Sequence, residues 1–199
     1  MPLITGKGGF FMSKKNNSTA KRDIKVFGNP RALCTAALLA ALTVVIGAIC
    51  KSFTVTMSVR ITFENLPLIF AGYLLGPWVG FLTGLCADLT STAATYGIGQ
   101  INPILTLGSA SVGLIAGIVS HSIIPKKSVF QMFITVFSAH IIGNMIIKTL
   151  GLYIYYKTPP IEIAVRILVY LGIAVFESII LSAIIKSRGI SKAIGGLKL

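Results

Sequence analysis

Beyond residue 31 the chain is a series of apolar runs separated by short breaks that contain glycine, proline or charged residues. A helix needs about 20 residues, each rising ~1.5 Å, to cross the ~30 Å hydrocarbon core of a bilayer. Only 12% of the 199 residues are charged, against roughly a quarter in ordinary soluble domains. Hydrophobic residues make up 54%, and the mean hydropathy is +0.86. These features predict an all-α integral membrane protein.

The lengths of the apolar runs predict six transmembrane helices. Gly76-Pro77 separates the second helix from the third, because proline lacks a backbone donor and clashes with the preceding turn. The predicted spans are 32–50, 61–75, 77–94, 103–124, 129–153 and 161–185. The predicted organisation is a flexible basic tail over 1–31, a membrane domain over 32–188 and a second basic tail over 189–199.

The distribution of positive charge predicts the orientation of these helices. The formal net charge is +13, from 18 Lys and Arg against 5 Asp and Glu. With six spans both termini share one side, and 13 of the 18 cations then lie on it, whereas only Lys51, Arg60 and Lys157 lie on the other. Cytoplasmic segments collect Lys and Arg, so both termini are expected to be cytoplasmic. The cations lie in tails and loops rather than on a folded basic face, and nucleic acid is not an expected partner.

The sequence lacks the motifs of the common catalytic and metal-binding classes. Cys34, Cys50 and Cys86 show no CxxC spacing, so neither a zinc site nor a disulfide framework is predicted. Neither a GxxxxGK[ST] phosphate-binding loop nor an HExxH metal motif occurs. Residues 1–31 contain no apolar segment typical of a cleaved signal peptide. We therefore expect a binding protein without metal, cofactor or catalytic residues of its own.

Polar residues inside the predicted spans gather in their outward halves, and only His121 and Glu177 lie in the inner halves. Such groups cost a few kcal/mol or more in lipid and usually face a cavity or a partner. His140, Asn144 and Lys148 are spaced by four and share one helical face. A pore would need polar groups across the whole membrane, so this asymmetry predicts a binding site open to the outside. The predicted substrate-binding residues are Arg60, Glu64, Asp88, Asn102, His140, Asn144, Lys148 and Arg166, with Phe53, Phe63 and Tyr96 as stacking rings.

Structural roles for several of these residues stay open at this point. Glu162 and Arg166 are four residues apart and could form an interfacial ion pair. Asp88 could pair with Arg166 or Lys148, and Lys148 could extend to the lipid headgroups. The aromatic residues could belong to the interfacial belt or to the core.

Helix 1 carries small residues at a spacing of four, at Ala32, Ala36 and Ala40. In lipid, a face of this kind lets two helices approach closely. It predicts either a docking surface for another membrane subunit or packing within the protein's own bundle.

Two continuous stretches carry a family resemblance, Arg60-Ile-Thr-Phe-Glu-Asn-Leu-Pro67 and Ala71-Gly-Tyr-Leu-Leu-Gly-Pro-Trp-Val-Gly80. They resemble the substrate-binding (S) components of energy-coupling factor (ECF) vitamin transporters, most closely the folate branch. Weaker similarity lies at 87–89, 106–109, 113–117, 144–150 and 166–167, within an overall match to 30–188. The resemblance implies six helices with cytoplasmic termini, an extracellular-side vitamin pocket and a location in the plasma membrane. It also implies partners: a transmembrane coupling subunit bound by the alanine face of helix 1, and two ATPases that drive transport.

The chemistry of folate is compatible with the predicted polar residues. Its two tail carboxylates suit the basic residues of the set, and its pterin edge suits Asp88, Asn102 or Asn144. The alternatives are an S component for another anionic vitamin such as pantothenate, a membrane enzyme acting on lipid headgroups, and a scaffold without a ligand. An enzyme would need a metal or nucleophile cluster at the cytoplasmic face, where only His121 and Glu177 lie.

Overall fold

The computed structural model describes residues 29–50, 54–56, 59–123 and 129–187. This part of the chain is helical apart from one short hairpin. The helices are α1 (Pro30–Cys50), α2 (Asn65–Leu75), α3 (Pro77–Tyr96), α4 (Pro103–Ile118), α5 (Val129–Tyr156) and α6 (Pro160–Lys186). Strands β1 (Thr54–Thr56) and β2 (Val59–Arg60) pair antiparallel, a 3₁₀ turn covers Ile98–Gln100, and a π turn over Val119–Ile123 extends α4.

Four of these helices are long and apolar enough to cross a membrane, namely α1, α4, α5 and α6, whereas α2 is a shorter apolar helix of 11 residues. The helices match the predicted spans to within a few residues at most ends. The predicted tails lie almost entirely outside the described residues, and the division into domains stays a prediction.

The start of the second predicted span, at residue 61, is wrong. The chain forms β2 up to Arg60, and α2 begins only at Asn65. Pro67 explains the late start, since it stands in the first turn of α2, where its missing N–H has no helical partner to lose. A helix from residue 61 would place Pro67 in its interior. The β-branched residues Thr54, Val55 and Thr56 favour the extended backbone that precedes it.

The predicted break at Gly76-Pro77 is confirmed. α2 ends at Leu75 and α3 begins at Pro77, the first helical position, where proline is well tolerated. Gly76 has φ = 101°, a conformation that costs a residue with a side chain about 1 kcal/mol or more. The two residues together turn the chain from α2 into α3.

Helices α2, α3 and α4 approach one another through glycines. A Cβ atom built on Gly80 of α3 would lie 2.5 Å from the Gly113 carbonyl oxygen of α4 and 2.7 Å from the Gly72 Cα of α2. Backbone therefore packs directly on backbone at this three-helix contact. By contrast, α1 lies at the periphery: 17% of the residues in its apolar stretch are buried, against 61% in α4.

Helix α5 changes its winding at the polar residues predicted to share one face. It is α-helical over Val129–Ala139, π-helical over His140–Lys148 and α-helical again over Thr149–Tyr156. His140, Asn144 and Lys148 all lie within the π-helical segment and are all buried. Segments of this kind are rare and often occur at functional sites.

Candidate functional site

A small cleft with a cavity volume of about 20 Å³ lies where α1 to α4 meet at one end of the bundle. That end contains the second halves of α1 and α3, the residue before α2 and the first half of α4. The lining residues are Thr43 from α1, Glu64 and Leu68 at α2, Ala87, Asp88 and Ser91 from α3, and Ser109 from α4. Two carboxylates and three hydroxyls thus share the cleft with two apolar side chains.

Asp88 is held in the cleft by hydroxyl groups of the neighbouring helix. Thr106 Oγ1 donates to Asp88 Oδ2 at 2.8 Å, and Ser109 Oγ donates to Asp88 Oδ1 at 2.6 Å. Because both carboxylate oxygens are bonded from α4, the plane of the carboxylate is fixed. The hydroxyls of Thr106 and Ser109 thus bind Asp88 in place of the Lys or Arg partner suggested by the sequence.

Glu64 is the second carboxylate of the cleft, and its partner comes from α5. Lys148 Nζ lies 3.9 Å from Glu64 Oε1, and the two side chains are 10% and 27% exposed. Two glycines make room for this pair. A Cβ on Gly47 of α1 would lie 2.9 Å from Glu64 Oε2, and a Cβ on Gly108 of α4 would overlap Lys148 Cγ.

Next to the cleft, α5 and α6 are joined by a fully buried hydrogen-bond chain. His140 Nε2 lies 2.7 Å from Glu177 Oε2, and Asn144 Nδ2 lies 3.1 Å from His140 Nδ1. An amide nitrogen can only donate, so with this orientation of Asn144 the Nδ1 atom accepts and Nε2–H donates to the carboxylate. The chain therefore fixes the tautomer and orientation of the imidazole ring.

The guanidinium of Arg166 stacks on the ring of Tyr170, which lies near His140. Its Cζ lies 4.6 Å from the centre of the Tyr170 ring, and that ring lies 6.1 Å from the ring of His140. Arg166 is only 6% exposed. A desolvated cation over an aromatic face gains about 2 kcal/mol or more, which helps to hold this charge inside the bundle.

Comparison with known proteins identifies the family. The family model "ECF transporter, substrate-specific component" matches residues 31–191, most of the chain. The chain belongs to this family. It is therefore a multi-pass membrane protein and a component of a transporter, which confirms the resemblance seen in the sequence to S components.

A solved structure, FolT bound with folic acid, has the same fold as this S component. The TM-score is 0.62 at 18% sequence identity, and the match covers 76% of this chain and 90% of that chain. No curated protein matches the sequence significantly.

The other predicted ligand-binding residues of this S component do not line the cleft. Asn102 caps α4, its Oδ1 accepting from the Ile104 backbone N–H at 3.1 Å. Phe63 packs against Phe176, with ring centres 5.6 Å apart, and Tyr96 is 56% exposed at the end of α3.

The side chains of two further predicted residues lie outside what the structure describes. Phe53 is not among the described residues, and only the backbone of Arg60, in β2, is described. Their roles in binding stay predictions.

The three alanines predicted for docking pack on the protein's own bundle. Ala32 is fully buried with Leu75 and Val79, and Ala36 packs against the same group. Ala40 packs against the main core cluster. Of the two interpretations of this face, internal packing describes the arrangement seen here.

Sequence reasoning missed the hydroxyl groups and the partner of His140. Thr43, Ser91 and Ser109 line the cleft, but isolated hydroxyls are common in apolar helices and carry little signal. The predicted topology puts Glu177 in the inner half of its span, away from the predicted site. Its pairing with His140 depends on how α5 and α6 are rotated about their axes, and the sequence does not give that rotation.

No group of three or more His, Cys, Asp or Glu suited to a metal ion occurs among the described residues. Glu177, one of the two polar residues predicted in the inner halves of the spans, is fully buried against His140. The family reported above is that of a transporter component rather than an enzyme.

Proposed function

We propose that this protein captures a folate-type vitamin with high affinity on the outer side of the plasma membrane and is the specificity subunit of an ATP-driven ECF transporter. In this proposal six helices span the bilayer, with both termini in the cytoplasm. Membership of the S-component family supports vitamin uptake, and the fold shared with folate-bound FolT supports folate as the first ligand to test.

The observation that carries the proposal is the cleft at one end of the bundle. It brings together Asp88 of α3, Ser109 of α4 and Glu64, the residue before α2. The buried apolar residues Leu68 and Ala87 complete its lining. A site with few convergent polar groups and apolar walls is typical of small-molecule binding.

The cleft end corresponds to the outward end in the topology predicted from charge. α1 and α3 reach it with their C-terminal halves, and α4 begins at it. If the basic tails are cytoplasmic, the chain directions of α1, α3 and α4 all put the cleft on the outer side of the membrane. A vitamin would then be captured outside, and its release inside would require the partner subunits.

We propose a transmembrane coupling subunit and two ATPase subunits as those partners, with α1 as the contact. The exposed side of α1 carries Ala37 and Ala41 four residues apart, next to Leu38 at 71% exposure. Small residues beside large apolar ones allow close helix packing in lipid. Ala37 and Ala41 each lie one position after the partly buried alanines Ala36 and Ala40, which pack on the bundle.

Calorimetric titration of the purified protein in nanodiscs tests the ligand proposal. We expect tight, saturable binding of folic acid and no heat change with pantothenate. Ser91→Phe should fill the cleft and weaken folic acid binding by about tenfold or more, equivalent to ~1.4 kcal/mol. Ala94→Phe, on the exposed side of the same helix, should bind as the wild type does. Pantothenate binding with no response to folic acid would refute the folate proposal.

Co-purification with the coupling subunit and the ATPases tests the docking proposal. Ala37→Leu should reduce recovery of the complex and leave vitamin binding by the isolated S component unchanged. Ala36→Leu, on the inward side, should instead lower the thermal stability of the isolated protein. Unchanged recovery with Ala37→Leu would place the contact elsewhere.

A further inference from the structure

His140 and Glu177 form a fully buried pair that joins α5 to α6 and does not line the cleft. Nε2 of His140 lies 2.7 Å from Oε2 of Glu177. The second carboxylate oxygen, Oε1, and the side-chain oxygen of Asn144 are also buried and have no hydrogen-bond partner in the described structure. A buried acceptor without a donor costs about 1–3 kcal/mol. This group therefore contains more acceptors than its donors satisfy.

Within the described lengths of α5 and α6, no Lys or Arg side chain forms an ion pair with Glu177. Lys148, about two turns further along α5, lies beside Glu64. On α6, Arg166 precedes Glu177 by roughly 16 Å along the helix axis, and Lys186 follows it by roughly 14 Å. A neutral imidazole leaves the carboxylate unbalanced, and an unbalanced charge in the interior costs about several kcal/mol.

The elements packed around the pair carry few titratable or charged side chains within about three helical turns of it. They are Glu64 and Tyr73 at α2, His121 in the π turn after α4, Lys148 in α5, and Arg166, Tyr170 and Lys186 in α6. Helix α4 itself contributes none between Pro103 and Ile118. The carboxylate of Glu64 is a like charge that acts on Glu177. These surroundings favour a positive charge on the partner of Glu177.

We propose that the His140–Glu177 pair is a proton-binding site. A proton from water adds to the free electron pair of His140 Nδ1, and the ring becomes an imidazolium. Its positive charge balances the Glu177 carboxylate, so the pair then has no net charge. The Nε2–H bond to Glu177 stays in place and becomes a charge-assisted bond, about twice as strong as a neutral one. This site goes beyond the proposed function and does not depend on which vitamin is bound.

Asn144 responds to the proton because it is bonded to the same ring nitrogen. In the structure its Nδ2 atom donates to His140 Nδ1 at 3.1 Å. A protonated Nδ1 is a donor, so the amide has to rotate by half a turn and present Oδ1 instead. That oxygen makes no other hydrogen bond. The backbone oxygen of Asn144 accepts from Thr149 Oγ1 at 3.1 Å, which holds the main chain while the amide turns.

Nitrogen NMR of the full-length protein in nanodiscs, with isotope-labelled histidine, reports the protonation of each ring nitrogen. The chain contains two histidines, so a spectrum of His121→Asn assigns the signals of His140. We expect Nε2 of His140 to be protonated from about pH 8 to about pH 5, and Nδ1 to be protonated as well at the acidic end. An unprotonated Nδ1 at about pH 5 would overturn the proposal.

Two variants show whether the carboxylate holds the proton. Glu177→Gln keeps an acceptor for Nε2–H and removes the charge, so the midpoint pH for protonation of Nδ1 should fall by about one unit, a tenfold loss of proton affinity. Asn144→Asp places a second carboxylate next to Nδ1 and should raise this midpoint by about as much. Glu162→Gln, at the start of α6, is the matched control and should titrate as the wild type does.

Equal midpoints for Glu177→Gln and the wild type would refute the role of the carboxylate. If Glu177→Gln does not fold, Asn144→Asp decides, because a proton at Nδ1 predicts a shift in the opposite direction. A midpoint that Asn144→Asp leaves unchanged would then refute the site. Neither measurement uses the vitamin, so failure of folic acid to bind would overturn the proposed function alone.

Discussion

The backbone contact between α3 and α4 gives a sharp prediction for Gly80→Ala. The new Cβ would lie 2.5 Å from the Gly113 carbonyl oxygen and 2.9 Å from the Gly113 carbonyl carbon. Ordinary contact begins at 3.4 Å, so the helices would have to separate by about 0.9 Å. The atoms in the way are backbone and cannot rotate aside. Overpacking of this kind costs about 1–3 kcal/mol.

For a protein of this length, a loss of 1 kcal/mol lowers the midpoint of thermal unfolding by roughly 2–4 °C. Gly80→Ala should therefore unfold about 2–12 °C below the wild type in a thermal-shift assay in detergent. Gly172→Ala is the matched control, because no atom lies within 4 Å of its added Cβ and alanine favours the helix. It should unfold at or above the wild-type midpoint. Equal midpoints for the two variants would refute the close approach of α3 and α4.

Three further predictions concern buried polar contacts and use the same assay. Glu177→Leu should cost about 1–3 kcal/mol because it leaves His140 Nε2–H without its acceptor, and Glu177→Gln should cost less; equal losses would contradict the hydrogen bond. Asn102→Ala should cost about 1 kcal/mol through loss of the α4 cap, and Asn102→Ser should recover most of it. Lys148→Met should cost less in the Glu64→Gln background than in the wild type, because the two residues interact; strict additivity would contradict the ion pair.

The helices could be predicted from the sequence because bilayer thickness fixes their length and proline marks several of their starts. α3, α4 and α6 each have proline at the first helical position. The hairpin was not predicted, since five strand residues carry too short a pattern to distinguish them from the beginning of a span. The late start of α2 could have been inferred from Pro67.

Some of the residues at the cleft could be chosen from the sequence, and their roles in binding stay predictions. Glu64, Asp88 and Lys148 were chosen because charged groups inside spans need partners, and the structure does bring them to the cleft region. Their partners could not be chosen correctly, because partners depend on how each helix is rotated about its axis. The sequence suggested Arg166 or Lys148 as the ion-pair partner of Asp88, whereas in the structure its hydrogen-bond partners are two hydroxyl groups.

The peripheral position of α1 has a consequence for how a ligand reaches the cleft. The glycine contacts tie α2, α3 and α4 into one tightly packed unit, whereas α1 contributes Thr43 to one wall and has only 17% of its apolar stretch buried. Displacing α1 sideways would open that wall without separating any of the three glycine-packed helices. Asp88 and its two hydroxyl donors would keep their geometry throughout, because all three belong to α3 and α4.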